Sequence, residues 1–115
     1  MLNMDFATTQ EKIRDTCFKN DLEFKFECTK FPVVATITPD MEKFDQIKFD
    51  FGEKDHEKTN YINGQIKFIF GEELTVNILN DFMIEDRLLN KIKNLIKNLH
   101  YLYLQLYFKD KTQIN

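Results

Sequence analysis

Residues 65–78 read QIKFIFGEELTVNI, and the alternation of their side chains decides the fold. Ile66, Phe68 and Phe70 fall on one side of an extended chain while Gln65, Lys67 and Ile69 fall on the other, the period of a strand with one buried face. Gly71-Glu72-Glu73 supplies a tight turn, and Leu74, Val76 and Ile78 repeat the inward pattern on the way back. A hairpin of this kind is stable only when its apolar face is covered, so the rest of the chain must supply further strands and a covering layer.

The strands lie upstream. Leu22, Phe24, Phe26 and Cys28 alternate with Glu23, Lys25 and Glu27, and Val33, Ala35 and Ile37 repeat the pattern before Thr38-Pro39-Asp40, where proline fixes a turn. Residues 46–53, QIKFDFGE, match residues 65–72, QIKFIFGE, at seven of eight positions. Two copies do not make a solenoid, which needs at least three stacked units. The plainer reading is two strands of one sheet, with Ile47, Phe49 and Phe51 inward. Asn63-Gly64 is a strong hairpin signal, which predicts pairing of residues 59–62 with residues 65–68.

The covering layer comes from the two ends. Thr8 and Glu11 have the spacing of a capping box, predicting a short helix from about Thr9 to Lys19 with Ile13 and Cys17 one turn apart on its apolar side. A long helix is expected from near Glu85 to near Lys109, acidic at its start and basic at its end as the macrodipole favours. Its Leu88, Leu89, Ile92, Leu95, Ile96, Leu99, Leu102, Tyr103 and Leu106 fall within an arc of about 140° at helical spacing. The expected architecture is α+β: an antiparallel meander of about five strands with a short N-terminal and a long C-terminal helix packed on one face, forming a single domain over residues 1–115.

Composition agrees with one core. The chain has 115 residues, 43% of them hydrophobic, with 12 Phe but only 3 Gly and 2 Pro, which favours a packed domain over a disordered chain. The 14 Lys against 2 Arg, with 10 Asn and 11 Ile, mark AT-rich coding DNA. A small, AT-biased, motif-poor acidic domain is of the type common among phage and mobile-element accessory proteins. The start Met-Leu-Asn-Met-Asp lacks the basic and apolar regions of a signal peptide, and no apolar run reaches membrane-spanning length, so a cytoplasmic protein with no membrane partner is expected.

Catalytic and cofactor chemistry finds no purchase in the sequence. Cys17 and Cys28 lack the spacing of a zinc site or disulfide framework and fall at inward positions of their elements. His56 stands in the charged run Glu53-Lys54-Asp55-His56-Glu57-Lys58, where neighbouring side chains point apart and do not converge on one metal ion. His100 borders the apolar stripe as a core-edge histidine. No phosphate loop, nucleophile elbow or dinucleotide fingerprint occurs. A non-enzymatic protein with no cofactor and no metal is expected.

What remains is surface. Opposite its core stripe, the long helix shows Asn90, Lys93, Asn94 and Lys97 in its first half, then Tyr101, Leu104 and Phe108 in its second. A helix apolar on all sides is covered on all sides, so either the first helix or a second chain covers this patch. In the second case a symmetric homodimer is the common solution. Lys91, Lys93 and Lys97, with Asn90, Asn94 and Asn98, offer an alternative: a polar band that could follow nucleic-acid phosphates. The net charge of −3, the pI of about 5.4 and the near absence of Arg weigh against it. A third reading is a small chaperone-like or ligand-gripping domain, with an apolar groove between helix and sheet. The leading expectation is a protein-interaction module that binds another protein or a second copy of itself through Tyr101, Leu104 and Phe108 or through the open sheet face.

Overall fold

A computed structural model describes residues 5–40, 64–79, 82 and 84–107. Along the chain it has helix α1 (Phe6–Lys19), strands β1 (Leu22–Glu27), β2 (Val33–Pro39), β3 (Gln65–Phe70) and β4 (Leu74–Leu79), and helix α2 (Asp86–Tyr107). The four strands form one antiparallel sheet in the order β1-β2-β3-β4. This is the expected α+β class, with four strands among the described residues against about five expected. The expected strand at 46–53 and the hairpin partner at 59–62 lie outside the described residues. The place beside β2 that the meander gave to residues 46–53 is taken by β3, with Val33 opposite Phe70 and Ile37 opposite Ile66. Both edges of β3 are filled, by β2 and β4, so β3 does not make the pairing that Asn63-Gly64 suggested.

The register explains how alternation becomes a core. Phe24, Ile37, Ile66 and Ile78 stand side by side in one cross-strand row, and Phe26, Ala35, Phe68 and Val76 in the next. These rows share the face on which both helices pack. Ile13 and Cys17 from α1, Ile92, Ile96, Leu99 and Tyr103 from α2, and Phe82 complete one buried cluster with the sheet. Rings interlock through it: Phe70 lies 5.2 Å from Phe26 and meets Tyr103 edge to face at 5.6 Å between centroids.

The α1 start corrects the capping box. The helix begins at Phe6, a turn earlier than expected, because Asp5 is its N-cap and accepts the Thr8 backbone N–H at 2.7 Å. Thr8 is therefore inside the first turn. Thr9 lies fully buried at the junction with α2; its hydroxyl donates to the Asp5 carbonyl and accepts from Asn98 Nδ2 at 3.2 Å. At its other end, α1 turns into β1 through Asp21, whose φ of 60° is a left-handed conformation that Asp tolerates. Asn20, also at that end, shares a groove with Leu88 and Lys91 of α2. Thr9 therefore meets the later half of α2 and Asn20 the earlier, and the helices run antiparallel.

Of the expected inward residues of β4, Leu74 is half-buried against the core, whereas Val76 and Ile78 are exposed. Along the row Phe24, Ile37, Ile66, Ile78, exposure goes from 5% through zero to 48% at Ile78, and Val76 and Leu79 are 36% and 39% exposed. β4 is an edge strand, and among the described residues nothing pairs with its outer side. Leu106 also departs from the expected core stripe, at 51% exposure.

Candidate interaction surface

Among the described residues, both cysteines and His100 sit in the core or at its edge. Cys17 is buried between α1 and the sheet, and that burial, partly offset by Arg14, pushes its thiol up to about 12, so it stays protonated at neutral pH. Cys28 is half-buried, and burial raises its thiol as well. His100 stands at the core edge as expected. Its Nε2 donates to the Gly71 carbonyl at 2.8 Å, since a carbonyl can only accept, and its ring meets Phe70 edge to face and stacks near Tyr103. The bond ties the β3–β4 turn to α2. Among the described residues no group of three His, Cys, Asp or Glu is placed to hold a metal ion. His56 and its charged neighbours lie outside them.

The second half of α2 carries the apolar surface, arranged differently from the sequence stripe. Tyr101 is 59% exposed. Leu104 is half-buried and packs against the core cluster, and Phe108 lies outside the described residues. The other exposed apolar side chain there, among the described residues, is Leu106. Between it and Tyr101, moving around the helix at 100° per residue, come Gln105 and Leu102. Leu102, Gln105 and Leu106 join Asp5 and Phe6 in lining a groove of about 440 Å3. Among the described residues, α1 begins at Phe6 and α2 runs on past it there, so a residue on the core side of α2 is exposed. Sequence periodicity assigned Leu106 to the core for the same reason: it measures direction around a helix and not where the neighbour ends. The Leu106 position and the partnership with Phe6 were missed; no signal short of locating the start of α1 identifies them.

The lysines of the polar band do not all share one face of α2. Lys91 is exposed and lines the groove with Asn20, Glu85, Arg87 and Leu88 at the far end of the helix pair. Lys97 is exposed about 120° away around the helix, and half-buried Lys93 stands about 40° from it, one turn earlier. Asn98 is turned toward Thr9 and is not part of an open polar face.

No described element covers the sheet face away from the helices. Lys25, Thr36 and Lys67 form one cross-strand row on it, Lys25 is 3.8 Å from Glu23, and a shallow depression of about 410 Å3 is lined by Lys25, Glu27, Val34, Thr36, Thr38, Gln65 and Lys67. Charges of both signs make it a solvated face. No described helix is long and apolar enough to cross a membrane. Comparison of the chain with known protein families, with curated proteins and with solved structures finds no match.

Proposed function

We propose that the protein is a non-enzymatic interaction module that works as a homodimer and engages a protein partner through the second half of α2. The observation that carries this reading is the exposed apolar arc of Tyr101 and Leu106 around the groove lined by Phe6 and Leu102. Large apolar side chains exposed beside a groove, where α2 runs on past the start of α1, are the features of a contact surface. The groove suits an apolar segment of a partner, a helix or a terminal stretch presenting one or two large side chains. A charge placed in that arc opposes such a contact and costs the fold little, because both side chains are more than half exposed. Leu104 is unsuitable for the same test, since it packs on the core.

The experiment compares wild type with the Tyr101→Glu/Leu106→Glu double variant. Light scattering after size exclusion gives the oligomeric state, and affinity capture from the native host identifies bound protein. The reading expects a dimer in both cases and a partner retained by wild type but lost by the variant. A monomeric wild type defeats the homodimer, and a captured set unchanged by the double variant defeats the role of α2.

A further inference from the structure

We infer that β4 is the seat of the second copy: two chains join β4 to β4, antiparallel about a twofold axis, into one continuous eight-stranded sheet. The inference rests on the homodimeric part of the reading above and assigns it a surface distinct from α2. The two edges of the sheet differ in kind. β1, at one edge, carries Glu23, Lys25 and Glu27, the charged side chains with which a sheet discourages pairing by another chain. β4, at the other edge, reads LTVNIL and carries neither charge nor proline. It has six residues, unpaired on its outer side among the described residues, and its Val76, Ile78 and Leu79 are exposed. A sheet protected at one edge and left ready to pair at the other joins a partner at the unprotected one.

The occupant follows from charge and register. A strand without charges meets a copy of itself without like-charge repulsion, whereas the charged β1 edge would set Glu and Lys against each other in only some registers. With the axis at Val76, Leu74 of one copy stands opposite Ile78 of the other and Val76 opposite Val76 on the helix side, while Thr75 stands opposite Asn77 on the open side. Every described residue from Leu74 to Ile78 then has a partner of its own character. An axis perpendicular to the sheet keeps both copies' helices on one side, so the row Phe24, Ile37, Ile66, Ile78 continues into the second chain.

Val76→Lys places a charge at the centre of that pairing, at a position exposed enough for the side chain to reach water. The expected result is a wild-type dimer at micromolar concentration and a monomeric Val76→Lys with unchanged circular dichroism. A second variant, Val76→Cys with Cys28→Ser, carries its only reactive thiol at the axis, because Cys17 is buried. A short bis-maleimide should link it into a covalent dimer, and this arm decides the matter if Val76→Lys fails to fold. A wild-type monomer overturns the inference, as does a Val76→Cys variant that resists linking, whether the chain covers β4 itself or the second copy sits elsewhere. A dimer broken by Tyr101→Glu/Leu106→Glu and untouched by Val76→Lys puts the second copy on α2 and overturns it too. If Val76→Lys is monomeric but still captures the partner that the α2 variant loses, both readings stand. If both proteins capture the same set, the role of α2 fails while the pairing of β4 survives.

Discussion

Asp5 does two things at the start of α1: it accepts the Thr8 N–H, and it puts negative charge where the helix dipole is positive. The backbone hydrogen bond from Thr8, helped by the Thr8 side chain, holds its carboxyl below the ordinary value of 3.8. A lowered folded-state pKa gives stability that is complete above the ordinary value and lost as pH falls through the lowered one. Asp5→Asn keeps the cap and loses the proton linkage. Its deficit in thermal midpoint relative to wild type should therefore narrow between about pH 5 and about pH 2, read by melts across that range. The cysteines separate by burial in the same way: an alkylating reagent should modify Cys28 in the native protein and reach Cys17 only with denaturant, as peptide mass mapping will report. Phe70 is the ring that Phe26, His100 and Tyr103 all meet. Phe70→Ala should cost about 3–5 kcal/mol in a denaturant titration, because three neighbours surround the vacated space.

At the scale of elements, a part-buried polar contact joins the helix pair. Asn98 donates to Thr9 across α1 and α2, while Thr9 also bonds back to Asp5. A double-mutant cycle of Thr9→Val and Asn98→Ala should give a coupling of about 1 kcal/mol, the net worth of an ordinary hydrogen bond. A coupling near zero would mean the helices are held by apolar packing alone. These elements also show which parts of the fold a sequence discloses. Alternation placed Phe24, Ile37, Ile66 and Phe68 on the buried face because a period of two is a local property. The same alternation in Leu74, Val76 and Ile78 cannot say whether a strand is central or at an edge, and Leu74 is half-buried while Val76 and Ile78 are exposed. Thr8 and Glu11 imitate a helix start, but Asp5 three residues earlier caps better, a competition that spacing alone does not resolve. In the contact surface, Tyr101 was legible as a large side chain facing away from the core stripe. Leu104 and Leu106 changed places because α1 stands along one side of α2 and stops short of its end.

For the whole molecule, the distribution of charge separates the surfaces. The open sheet face and the β1 edge carry Glu and Lys together, whereas β4 and the arc of Tyr101 and Leu106 carry none. Association through β4 should then be insensitive to ionic strength. Sedimentation equilibrium at low and at physiological salt should return the same dimer dissociation constant, since screening weakens contacts between exposed charges and leaves apolar pairing in place. A constant that rises several-fold with salt would point to charged surfaces instead.

The antiparallel pairing of α1 with α2 also governs the order in which the protein can complete itself. Thr9 and Asn98 are 89 positions apart, so the contact that closes the helical layer joins the first described element to the last. Strand pairs β1–β2 and β3–β4 are local and can form as soon as they leave the ribosome, but half of their roof does not yet exist. During synthesis Ile66, Phe68 and Phe70 face water until α2 emerges, and a ribosome stalled before residue 86 would display an aromatic sheet to every passing chain.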